Sequence, residues 1–243
     1  MTHRASALIS AQEWFSAGER VGYDAERPGI NPRSPLRAFI RRAAGTGVTR
    51  TFLPGWPDGS YGWAKVEAFL SSRFHFPRIY LDYIGHGDSD KPRDYPYSTF
   101  ERADLVEALW HAEGIAQTVV VAFDYSCIVS LELLARRIDR ERAGNDQRTR
   151  ITACLLANGG IFADGHTHAA RWDLARIISA LGDEVAFGVV GSAEDPFEGE
   201  QLRLARERLA DSVEITELAG GHLTTAEQPD RLAEVIAALP ERS

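Results

Sequence analysis

The chain has 243 residues, 44% of them hydrophobic and 26% charged, with a formal net charge of -8. A chain of this length buries enough surface to need no disulfide or metal staple, and its acidic balance sets up no basic field for nucleic acid or an anionic membrane. Its two cysteines, Cys127 and Cys154, both lie in apolar runs, which fits a reduced intracellular protein better than a disulfide framework.

In chain order, residues 1–47 read as irregular, with Pro28, Pro32 and Pro35 breaking any long element. The opening MTHRASALISAQEW has no long apolar stretch, and no run reaches the ~18 residues of a membrane span, so a cytoplasmic location is expected. Short β-branched or apolar runs then predict strands at Val48–Leu53, Arg78–Asp82, Thr118–Phe123, Ile151–Ala157, Glu184–Val190 and Ser212–Leu218. Helices fall between them. One opens on a capping pattern, Ser98 with Glu101, shows Leu105, Ala108, Leu109 and Ala112 on one face and stops before Gly114. Another, with Ala170, Leu174, Ile177, Ile178 and Leu181 on one face, fills residues 161–183. The last carries Leu232, Val235, Ile236 and Leu239. Apolar strands alternating with amphipathic helices predict an α/β fold, a mainly parallel sheet covered on both faces, in a single domain over 1–243. Ligands of such sheets bind at the carboxyl ends of the strands, which directs attention to the strand-to-helix turns.

Four of those turns carry candidate chemistry. Leu53-Pro54-Gly55-Trp56-Pro57 holds backbone N–H groups in a tight turn, or is a plain surface turn. The loop from Asp82 to Pro92 is glycine-rich, but no Gly-Lys-Ser/Thr follows, so it is not a phosphate cradle. In Val119–Ile128 a buried strand meets Asp124 and turns at once into a helix, with the small residues Ala122 and Ser126 on either side. A sharp elbow needs small residues there so that its central side chain projects from the sheet; the plainer reading is a helix N-cap. Leu218-Ala219-Gly220-Gly221-His222 follows the last strand, and the strand before it ends in Glu194-Asp195-Pro196. The order elbow residue, acid, histidine is that of an α/β-hydrolase triad with Asp in place of serine: Asp124, Asp195, His222, with Glu194 the alternative acid. His166 and His168 lack further ligands at recognisable spacing, so no metal is expected.

The stretches EWFSAGERVGYD, LPGWPDGSYGW, YLDYIGHGDSDKPRDYPYS, DLVEALW, FDYSCIVSLELLAR, LLANGGIF and GGHLTTAEQPDRL resemble α/β-hydrolases of the haloalkane dehalogenase and epoxide hydrolase group, within it the branch related to the mesoderm-specific transcript protein. The resemblance implies an α/β-hydrolase fold and a covalent mechanism without a cofactor. Asp124 attacks an electrophilic carbon, and His222, oriented by Asp195, activates water against the resulting ester. The amides of Trp56 and Tyr125 hold the oxyanion, worth about 3 kcal/mol per donor. Pro54 and Phe123 stand where the group has histidines and are expected to contact substrate, and Ser126 replaces a glycine. The helical cap of the group is reduced to residues 161–183, a remnant cap or simply a helix covering the sheet, so residues 1–47, with Trp14, Phe15 and Tyr23, or a partner subunit are expected to roof the site. The expected substrate is a small, largely apolar electrophile. Two rivals remain open: an ester or lactone hydrolase with Asp124 as base, and a scaffold repurposed for binding, cyclisation or rearrangement. A homodimer is compatible with each.

Overall fold

The computed structural model describes residues 8–24, 35–145, 148–162, 172–181, 184–209 and 211–242. Its centre is built from the two most apolar strands, β5 (Gln117–Phe123) and β6 (Arg150–Ala157), whose side chains are buried on both faces along almost their whole length. Alternation along a strand sends successive side chains to opposite faces. Val119, Val121 and Phe123 of β5 therefore enter one core layer with Ala153, Leu155 and Ala157, while Val120 and Ala122 enter the other with Cys154 and Leu156.

Around this pair lie β3 (Thr49–Leu53), β4 (Arg78–Leu81), β7 (Ala186–Gly191) and β8 (Glu214–Glu217), all parallel, and β1 (Glu19–Tyr23) and β2 (Leu36–Ala43), which pair antiparallel at one edge. The sheet order is β1-β2-β4-β3-β5-β6-β7-β8. Helices α3 (Thr99–Ala112), α4 (Ser126–Arg142), α5 (Leu174–Leu181) and α6 (Gly199–Leu209) cover one face; α2 (Ala64–Arg73) and α8 (Pro229–Ala238) cover the other, beside α1 (Ala11–Ser16) and the short α7 (Thr224–Glu227). The Ser98 side chain accepts from the Glu101 N–H, as the capping pattern predicts, and Gly114 beyond α3 has φ 63°. In α5, Leu174, Ile177 and Leu181 are buried in the same apolar layer as Leu134 and Ile138 of α4.

The expectation of an irregular segment over 1–47 is corrected: β1 and β2 lie there, and a capping box of Ser10 and Glu13 starts α1. The edge position of β1 leaves its ERVGY sequence half-solvated and hides its strand signal. Pro35 sits immediately before β2, while Pro28, Pro32, His166, His168 and Ala170 lie outside the described residues. Nor do the N-terminal aromatics roof the strand ends. Trp14 is fully buried, edge-on to Tyr80 at 5.1 Å, and its indole N–H donates to Ser60 Oγ at 3.0 Å. Phe15 packs on Phe39 at 5.1 Å, and Tyr23 is buried in the opposite core layer near Leu36. Among the described residues no helix is long and apolar enough to cross a membrane.

Candidate active site

The turn from β5 into α4 takes two residues. Asp124 reverses the chain with φ 53°, a left-handed value that costs a non-glycine residue about 1–2 kcal/mol. Its N–H donates to Ala157 O at 2.9 Å, continuing the ladder to β6, and its carbonyl accepts from the Cys127 N–H at 3.0 Å as the first turn of α4 forms. The bend needs room on both sides. A Cβ at Gly159 would stand 2.3 Å from Asp124 O and 2.4 Å from Cys127 Sγ, and one at Gly55 would meet Phe123 at 2.8 Å and Asp124 Cβ at 3.0 Å. Ser126 fixes the elbow to the first turn: its hydroxyl donates to Pro54 O and pairs with Tyr83 OH at 2.8 Å.

That first turn delivers the Trp56 N–H to Asp124 Oδ2 at 2.7 Å. His222 Nε2 faces the other oxygen, Oδ1, at 3.2 Å, and His222 Nδ1 lies 2.9 Å from Asp195 Oδ2. Asp195, not Glu194, meets the histidine; Glu194 points to solvent. A carboxylate at the end of β5, an imidazole after β8 and a second carboxylate after β7 thus form one chain. The model of the alpha/beta hydrolase fold family matches residues 51–192, a span that carries the elbow and runs to the turn before Asp195.

The chain belongs to this family.

It is 43% identical to the human mesoderm-specific transcript homolog protein over 116 residues, 47% of this chain and 33% of that protein. It is 33% identical to a haloalkane dehalogenase of Bradyrhizobium diazoefficiens over 88 residues, 36% of this chain and 27% of that one. The match therefore spans about a third or less of each of these relatives. Among solved structures, the epoxide hydrolase VrEH1 of Vigna radiata superposes with a TM-score of 0.63 at 13% identity, covering 91% of this chain and 97% of that one, a likeness of fold.

Electrostatics set the protonation of this hydrolase-fold site. Burial works to raise Asp195, but the bonds from His222 and Asn158 and the N–H groups of Phe197 and Glu198 outweigh it and bring the carboxyl down to about 2. Burial likewise works to lower His222, and the Asp124 and Asp195 carboxylates overcome it, raising the imidazole to about 9. Asn158 had no role in the sequence reading. It has φ 47°, donates from Nδ2 to Asp195 Oδ2 at 2.8 Å and accepts at Oδ1 from Thr224 Oγ1 at 2.7 Å. It clamps the acid to the loop beyond His222; the available signal was its place at a central strand's carboxyl end, before Gly159 and Gly160.

The glycine-rich loop supports the first turn. Asp82, fully buried, accepts from the N–H groups of Ser60 at 2.5 Å and Asp88 at 2.7 Å. His86 Nδ1 donates to Asp58 O at 2.7 Å, which leaves Nε2 to accept from Arg102 at 3.3 Å, and burial pushes this imidazole down toward its neutral form. The Arg102 guanidinium lies 4.3 Å over the Tyr125 ring, whose hydroxyl pairs with Thr99 Oγ1 at 2.6 Å. Lys91 Nζ donates to Gly87 O at 2.6 Å and Ser89 O at 3.0 Å, and Lys65 Nζ donates to Ala226 O at 3.2 Å, beyond His222. Phe123 is buried, with His222 at 5.5 Å and Trp63 at 6.2 Å. Tyr125, its amide at the N-terminus of α4, directly follows the elbow residue.

Among the described residues no group of three or more His, Cys, Asp and Glu side chains is placed to hold a metal. Cys127 and Cys154 are buried free thiols, which burial pushes up, Cys154 to about 12. A cleft of about 1150 Å³ opens elsewhere, between Tyr23, Trp110 and Thr149, and includes none of the triad residues.

Proposed function

We propose that the protein is a hydrolase of a small electrophile, epoxide or alkyl halide in type, working through a covalent ester on Asp124. One observation carries the reading: the two Asp124 oxygens occupy different environments, Oδ2 on the Trp56 N–H at 2.7 Å and Oδ1 facing His222 Nε2 at 3.2 Å. Oδ1 attacks the electrophilic carbon, and either halide leaves and the resting imidazolium gives its proton to water, or the epoxide C–O bond opens and its oxygen takes that proton. Oδ2 becomes the ester carbonyl oxygen, already seated on its donor. His222 then takes a proton from water, the hydroxide adds to the ester carbon, and the charge gathering on Oδ2 is held by the amides of Trp56 and Tyr125. The tetrahedral intermediate expels the alkoxide, which takes the proton from His222 and leaves as an alcohol; the proton left on the new carboxyl passes to the imidazole, which restores the Asp124 carboxylate and the resting imidazolium.

The raised imidazole fits this division of labour. With His222 near 9, the resting site at neutral pH holds an imidazolium between two carboxylates. Esterification of Asp124 removes one of the charges holding that proton, so the imidazole loses it and becomes a base once there is an ester to hydrolyse. The name of the haloalkane dehalogenase relative supports the electrophile class.

The test is the intact mass of the His222→Gln variant after incubation with epoxides, haloalkanes and activated esters. The expected result is a stable adduct mapped to Asp124, its mass separating epoxide addition from halide displacement. No adduct with any class, together with an inactive wild type, would overturn the proposal.

A further inference from the structure

Among the described residues the three most exposed large apolar side chains all adjoin the triad: Phe197 at 73%, Trp56 at 64% and Leu223 at 53%. Trp56 carries the amide bound to Asp124, Phe197 lies two residues after Asp195, and Leu223 directly follows His222. The Phe197 ring stands edge-on to the His222 imidazole at 5.2 Å while the buried Phe123 ring lies 5.5 Å from the same imidazole. Single exposed apolar residues are ordinary on a protein surface, but their concentration at one site marks a place where apolar matter binds.

We propose that Trp56, Phe197 and Leu223 form a rim that binds an uncharged hydrocarbon tail on the substrate. The electrophilic carbon sits at one end of that tail, over Asp124. This rests on the hydrolase reading above and narrows its substrate class to alkyl-chain epoxides or halides. A hydrocarbon lying across these side chains removes apolar surface from water on both partners, with no polar group to desolvate. The exposed Glu194 beside Asp195, together with the net charge of -8, disfavours a tail ending in a carboxylate.

The test uses unreactive n-alkanols of four to ten carbons and the full-length protein. Trp14, Trp63, Trp110 and Trp172 are all buried, so Trp56 is the one tryptophan of five whose emission can shift to the blue when a ligand covers it. Affinity is expected to rise about fourfold per added methylene, with the blue shift growing in step. Phe197→Ser and Leu223→Ser, each checked for an unchanged thermal midpoint, are each expected to flatten that dependence. Affinity independent of chain length, or a slope unchanged in both variants, would overturn the proposal. So would sedimentation showing a wild-type dimer that Phe197→Ser dissociates, since a second copy would then occupy the rim. Alkanols do not alkylate, so an intact slope with no adduct in His222→Gln would remove the covalent reading alone.

Discussion

Asp124 and Asn158 are the two non-glycine residues with left-handed backbone among the described residues, and each stands at the carboxyl end of a central strand. Asparagine tolerates that conformation because its short amide bonds locally, and here it bonds Asp195 and Thr224. Asn158→Ala is expected to cost about 2–3 kcal/mol in urea unfolding, combining the left-handed penalty with a lost donor to a buried carboxylate. Asn158→Gly relieves the first part and is expected to cost about 1 kcal/mol less, while losing as much activity. Titration gives a second residue-level outcome. His222 is raised from an ordinary value of 6.5 to about 9 on folding, so its contribution to stability is complete below 6.5 and is lost as pH rises through 9. Asp195 runs the opposite way: lowered from 3.8 to about 2, it contributes above 3.8 and loses that contribution as pH falls through 2. The melting temperature of the wild type is expected to fall between pH 6.5 and 9 more steeply than that of His222→Gln. Equal slopes would show that the imidazole gains no proton affinity on folding.

At the scale of elements, the site depends on how closely loops approach. A Cβ at Gly159 meets a backbone oxygen and the Cys127 sulfur below 2.5 Å, atoms anchored in the elbow that cannot swing aside. Gly159→Ala is expected to destabilise by about 1–3 kcal/mol or more and to abolish activity, whereas Gly22→Ala in β1, with nothing within 4 Å, is expected to be neutral. Calorimetry and turnover of the pair check this. The same closeness explains what could be read in advance. The elbow and the first turn were legible because each follows an apolar strand, and the histidine loop, which follows the largely polar β8, because its Gly-Gly-His stands directly before a helix start. Predicted strands such as Thr118–Phe123 and Ile151–Ala157 lie within one residue of the observed β5 and β6, since burial on both faces leaves continuous apolar runs. Asn158 stayed silent because its partners, Asp195 and Thr224, are 37 and 66 residues away.

Over the whole molecule, the antiparallel edge was the part not read. An edge strand shares its backbone bonds with one neighbour and its side chains with solvent, so β1 looks polar, and prolines near it mimic a loop. The N-terminal segment is nonetheless tied to the site from beneath: Trp14 bonds Ser60, and the Ser60 N–H bonds Asp82, which also holds the glycine-rich loop. Trp14→Ala is expected to cost about 3–5 kcal/mol, seen as a lowered urea midpoint with an unchanged slope, and to reduce turnover through the first turn. The scarcity of lysine has a practical outcome. Only Lys65 and Lys91 carry side-chain amines, and both brace active-site loops, Lys65 on the carbonyl of Ala226 beyond His222 and Lys91 on the loop that carries His86. An amine-acylating reagent used to immobilise or label the protein would find these two side chains besides the α-amino group, so the degree of coupling at the two lysines would double as a gauge of how firmly the two loops are held.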